Sequence, residues 1–169
     1  VPDSRSARSE MAVPVDPDVD LHVPLQRREL RRRPWTTLAA ISVGGVCGTL
    51  ARYGLSTAFP HPPGAFDWAT FGINVSGCLL IGVLMVLIAE VWQVHRLVRP
   101  FLGVGVLGGF TTFSTAIVEV QQGVEAGAAR TALVYMFATL FCALVAVFAG
   151  VRGTRLLSRF ALRRGKERR

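Results

Sequence analysis

Charge is nearly missing from the middle of this chain. Between residues 35 and 151 only eight of 117 side chains are charged, four arginines and four carboxylates. A water-soluble domain spreads charge over its surface, whereas a membrane protein confines it to tails and loops. Cysteine is scarce as well. Cys47, Cys78 and Cys142 fall inside apolar segments without a CxxC or Cys/His spacing. That argues against a disulfide framework or a zinc site, and leaves them as small packing residues. Histidine is limited to His22, His61 and His95, scattered through tail and loops. With no Ser/His/Asp constellation and no metal-spaced cluster, an enzyme is not expected. The N-terminus also lacks the short apolar core and small-residue cleavage site of a signal peptide.

What is present is apolar sequence bounded by arginine. Hydrophobic residues make up 51% of the 169 residues, and mean hydropathy is +0.42. The net charge of +8 comes largely from residues 1–34 and 152–169. Because these basic residues flank apolar runs, they suit anionic lipid headgroups and not nucleic acid. A hydrocarbon core of roughly 30 Å needs about 20 apolar residues in helical form. Four runs reach that length, at 35–59, 66–92, 98–118 and 128–151. The expected organisation is therefore a disordered basic N-terminal tail at 1–34, a four-helix transmembrane domain at 35–151 and a basic C-terminal tail at 152–169. In that last tail Leu156, Leu157, Phe160 and Leu162 either form an apolar stripe on the inner leaflet or belong to a solvated segment. The joins between spans are short, so neighbouring helices run antiparallel. The N-tail, the second loop and the C-tail share a side that carries every Arg and Lys except Arg52 and Arg130. The positive-inside rule then puts both termini in the cytoplasm of a multi-pass protein of the inner (plasma) membrane.

Polar residues inside a bilayer are costly and call for a reason. Thr70 and Asn74 stand i, i+4 on one face of the second span. Interhelical hydrogen bonding is the plain explanation for such an Asn. In the third span Gly103, Gly105, Gly108 and Gly109 precede Phe110-Thr111-Thr112-Phe113-Ser114-Thr115. Adjacent glycines destabilise a helix by about 1 kcal/mol each relative to Ala. The hydroxyls that follow offer the backbone competing hydrogen bonds. A break is expected here, and at membrane depth one is tolerated where freed carbonyls line a cavity or hold an ion. In the first span Gly44 and Gly48 form a GxxxG spacing suited to close helix contact, and Arg52 follows one turn later. Arg52 either snorkels to the interface or sets a positive potential at a pore mouth. The fourth span sets Tyr135 and Thr139 at i, i+4.

Three of these elements together resemble the CrcB/Fluc family of fluoride channels: GGVCGTLARY at 44–53, T-x-x-x-N-x-x-G at Thr70, Asn74 and Gly77, and GVLGGFTTFST at 105–115. Their order, spacing and helix assignment agree over residues 38–150, and the last element is the specific one. The resemblance implies an all-α membrane protein of four transmembrane helices with a break in the third, assembled as an antiparallel, dual-topology dimer around narrow fluoride pathways. By the same resemblance Asn74 hydrogen-bonds the permeating fluoride, and Thr70, Ser114, Tyr135 and Thr139 join the polar track. Phe113 turns an electropositive ring edge to the anion. Backbone carbonyls at Gly108 and Thr111 hold a structural Na+ at the dimer interface. Arg52 is the pore-mouth candidate.

The chain departs from the family pattern in two places. Ala116 stands where a second phenylalanine is expected, three residues after Phe113, and Ala143 replaces the next polar position after Thr139. A subunit that inserts both ways should also carry balanced Arg and Lys, and this one does not. These features point to one half of a heterodimer with a homologous, oppositely inserted subunit. A non-conducting partner subunit is the alternative. A small proton-coupled exporter fits less well, because its carboxylate candidates, Glu90 and Glu119, lie near span ends.

Overall fold

The computed structural model describes residues 34–91 and 97–167, with side chains over 35–90 and 97–159. The tail 1–33, the loop 92–96 and the side chains of Phe160 and Leu162 lie outside the described residues. Helix α1 is Pro34–Ala58. Pro34 suits a first helical turn, where its missing N–H would have no partner in any case. Helix α2 is Trp68–Val86, and Leu87–Val91 continues it in a wider, π-wound coil. Asp67 caps α2, its Oδ1 accepting the Thr70 N–H at 2.9 Å. Helix α3 is π-wound over Arg99–Leu107 and runs on through the turn Gly108–Phe110. Thr111 then takes extended angles, φ −77° and ψ 155°. Helix α4 spans Ser114–Glu125 and α5 spans Ala129–Glu167.

Four helical stretches are long and apolar enough to cross a membrane: Trp35–Ala58, Trp68–Glu90, Arg99–Glu125 and Ala129–Arg159. The third and fourth reach further than their apolar runs suggested. Sequence 152–167 holds no proline and is rich in Leu and Arg, which are good helix formers, so α5 continues past 151 without a stop. Between α4 and α5 the chain reverses in three residues. Gly127, at φ 75°, supplies the left-handed conformation. The Ala128 N–H reaches Gly123 O at 2.8 Å and the Gly127 N–H reaches Val124 O at 3.0 Å. This pair of bonds is a Schellman motif, which satisfies the last carbonyls of α4.

Residues Thr37–Arg169 form one compact unit. Its centre is the packing of α2 on α5, with α4 also laid against α5. The helices approach through reciprocal glycines. A Cβ on Gly82 would stand 2.5 Å from Val147 O, and one on Gly150 would stand 2.5 Å from Leu79 O. A second close approach joins α1 to α3, where a Cβ on Gly44 or Gly48 would collide with the carbonyls of Phe101 and Val106. Close backbone contact between small residues is how helices associate in lipid, where no hydrophobic force separates helix from solvent. The remaining faces are apolar and open, with Val43, Val46, Leu50, Phe137, Phe141 and Phe148 all exposed.

Candidate functional site

The interrupted backbone after Phe110 is held by one side chain. Asn74 on α2 donates from Nδ2 to Thr112 O at 2.8 Å and accepts the Thr112 N–H on Oδ1 at 2.8 Å. A carboxamide satisfies both polar groups of a single residue in this way, and Asn74 is 8% exposed. Gly77, one turn along α2, makes room for the Thr111 methyl group, which a Cβ at that position would strike. Thr112 Oγ1 in turn accepts the Thr115 N–H at 3.2 Å and lies 3.0 Å from Thr115 Oγ1, capping the start of α4. A hydroxyl accepting an N–H three residues on is an N-cap in chemical terms.

These bonds leave two carbonyls without their helical donors. The Thr112 N–H that would serve Gly108 O is turned to Asn74, and the Thr115 N–H that would serve Thr111 O is turned to Thr112. No hydrogen bond to either carbonyl occurs among the described residues. Gly109 O is occupied differently, by Arg52 Nε at 3.2 Å and Thr49 Oγ1 at 3.4 Å. Arg52 therefore sits against the end of α3. Uncharged carbonyl oxygens lacking donors are the ligand type of a hard cation, so Gly108 and Thr111 have the right chemistry to hold one.

Beside the interruption lies a cavity of about 390 Å³, lined in part by Asn74, Thr111, Phe113, Tyr135 and Thr139. Ala116 and Ala143 also line it, which leaves much of its wall apolar. The Tyr135 side chain is 3% exposed, and among the described residues its buried hydroxyl meets no partner at hydrogen-bond geometry. Its ring is fixed edge-on to Phe66 at 5.1 Å. Thr139 Oγ1 bonds back to Tyr135 O at 2.7 Å, within its own helix. Phe113 is 80% exposed, so its ring projects from the chain.

Two of the residues singled out from sequence fall elsewhere. Thr70 shares a face of α2 with Asn74 but lines a second cavity of about 240 Å³, with His61, Asp67, Thr115 and Glu119. Ser114 is exposed at the start of α4, its Oγ 3.4 Å from Thr112 Oγ1. Sequence reading passed over Thr112 and the His61, Asp67 and Glu119 group. The signal for Thr112 was its place three residues before Thr115, a capping interval. For the group there was only Asp67, a capping residue just ahead of an apolar run.

The matched family model covers residues 39–151 and is described as "CrcB-like protein, Camphor Resistance (CrcB)". The chain belongs to this family. Among its curated relatives is "Fluoride-specific ion channel FluC 2" of Nocardia farcinica, 54% identical over 118 residues, which are 70% of this chain and 84% of that protein. The protein of the same name from Thermobifida fusca is 49% identical over 131 residues, 77% of this chain and 97% of the relative. Streptomyces avermitilis supplies two relatives. Its FluC 2 is 49% identical over 74% of this chain and 79% of its own length. Its FluC 3 is 43% identical over 78% of this chain and 67% of its own length. The family is one of multi-pass membrane channels and not of enzymes.

Proposed function

We propose that this chain is a subunit of a fluoride-selective channel that lowers cytoplasmic fluoride by passive efflux. The observation that carries this reading is the site itself, an interrupted helix clamped by Asn74 beside a cavity with an unpartnered tyrosine hydroxyl, in a chain about half identical to proteins named fluoride-specific channels. Fluoride is small and strongly hydrated. A pathway must replace its water with donors that do not ionise, and amide N–H, phenol O–H and aromatic ring edges qualify. Asn74 Nδ2 keeps one hydrogen free after bonding Thr112 O, and the Tyr135 hydroxyl is a buried donor with nothing to donate to. Phe113 and Thr139 line the same cavity, while Thr70, in the second cavity, and Ser114, exposed at the start of α4, join the track on the family resemblance alone. Fixed cationic side chains would hold the anion too firmly, since conduction needs weak, successive sites.

The subunit works as half of an antiparallel, dual-topology pair, and the partner is a separate homologue. Three observations support this pairing, the first and last of them a heterodimer. Arg and Lys are strongly biased to one side, which fixes a single orientation. Phe113 is 80% exposed and needs a cover. One relative's organism carries both a FluC 2 and a FluC 3. At the interface the Gly108 and Thr111 carbonyls hold a structural Na+, which offsets the negative ends of the interrupted helices.

A silent partner subunit is a second reading, favoured by the apolar lining at Ala116 and Ala143. Proton-coupled export is not supported. Glu90 is paired with Arg155 at 2.7 Å, and Glu119 stands 3.3 Å from His61 Nε2.

Fluoride efflux from liposomes, with and without a homologous partner and with chloride as control, tests the proposal. Fluoride-selective flux is expected from the mixture. Equal flux from this chain alone would overturn the heterodimer, and no fluoride flux from folded, co-purified subunits would overturn the channel reading in favour of a silent subunit.

A further inference from the structure

The second cavity lies where the loop between α1 and α2 meets α4, and three ligand-bearing side chains converge in it. His61 Nε2 stands 3.3 Å from Glu119 Oε2 and 3.6 Å from Asp67 Oδ2. All three ligand atoms lie within 4.8 Å of one another. The edge of a tetrahedron with metal–ligand bonds of about 2.0–2.1 Å is roughly 3.3–3.4 Å, so the 3.3 Å His61–Glu119 separation matches a zinc site as it stands and the 3.6 Å His61–Asp67 separation is slightly wider. His61 Nδ1 is 3.3 Å from Pro62 O, a carbonyl that can only accept, so the ring proton sits on Nδ1. Nε2 then faces two carboxylates, as an N–H in the imidazolium and as a lone pair able to ligate a metal in the neutral ring. This is the arrangement of a metal-ligating histidine, whose other nitrogen donates to a backbone carbonyl.

Further observations point to a ligand. Asp67 is 4% exposed and lines the cavity; its Oδ1 accepts the Thr70 N–H, and its Oδ2 stands toward His61 Nε2. Thr70 is 2% exposed and lines the same cavity. Two carboxylates brought this close to one imidazole are stabilised by positive charge between them, which a bound cation supplies.

We propose that His61, Asp67 and Glu119 bind a zinc-class divalent cation, with solvent in the fourth position. The cation neutralises both carboxylates and ties the α1–α2 loop to α4. The site is read by metal binding alone, so its failure is distinct from failure of the channel proposal.

Zn2+ titration of the full chain in detergent against a chromogenic chelator tests it, alongside His61→Ala and Asp67→Asn. Asparagine keeps the cap on α2 and removes the charge, so the second variant reports on the site without unravelling the helix. One Zn2+ per chain is expected, at least tenfold weaker in both variants, and thermal unfolding should shift upward with Zn2+ in the parent chain only. Equal binding by the parent and both variants would place the metal elsewhere and overturn the proposal, as would absence of binding. Equal competition by Mg2+ would overturn the zinc-class assignment.

Discussion

In the proposed channel Asn74 has two jobs, and Asn74→Asp removes a donor from both. Its bonds to Thr112 N and O are structural, while its remaining N–H is available to an ion. Asn74→Asp keeps the acceptor, loses the donor and adds a negative charge where an anion should pass. A hydrogen bond to a charged group contributes about 1.5–3 kcal/mol, so fluoride efflux should fall roughly 10- to 100-fold. Liposome flux checks this. Tyr135→Phe makes the opposite demand on stability. The Tyr135 hydroxyl is buried without a partner, a situation that costs about 1–3 kcal/mol. Its removal should leave the thermal midpoint in detergent unchanged or raised, while flux declines. A lowered midpoint would show that the hydroxyl has a structural partner. Asn74 was legible as a costly polar residue on a membrane helix. Its partner was not, because residues 74 and 112 meet only once α2 and α3 are packed.

Helix packing here depends on which glycines face another backbone. Gly48 meets the Val106 carbonyl, whereas a Cβ on Gly54, on the same helix, would meet nothing within 4 Å. Gly48→Ala should therefore force α1 from α3, and overpacking of this kind costs about 1–3 kcal/mol. Gly54→Ala should be neutral or stabilising by about 0.5–1 kcal/mol through helix propensity. Thermal unfolding of the two variants in one detergent compares them directly, and equal loss in both would contradict the packing described. The GxxxG spacing of Gly44 and Gly48 was readable in advance. The π-wound course of α3 over Arg99–Leu107 was not, because propensity and periodicity carry no mark for a backbone that widens to fit its neighbours.

The family match begins at residue 39, so removal of residues 1–30 should leave fluoride flux intact; a loss would assign the tail a role in transport. Passive conduction of an anion is also electrogenic. The membrane potential contributes about 2.3 kcal/mol per charge per 100 mV, equivalent to roughly a fifty-fold gradient at about 1.4 kcal/mol per tenfold. Liposomes clamped inside-negative by 100 mV should expel fluoride to that limit and stop when the potential is collapsed. Efflux independent of potential would indicate exchange or co-transport.

Span number and the family itself were determined by the sequence, because hydropathy and short motifs act locally along the chain. The tertiary structure decided which carbonyls lose their donors, that Thr70 and Asn74 line different cavities, and that His61, Asp67 and Glu119 converge. The spacing of residues 61, 67 and 119 fits no sequence motif. Only the packing of α4 against the ends of α1 and α2 brings their charges within a metal's reach, where burial makes an uncompensated carboxylate costly.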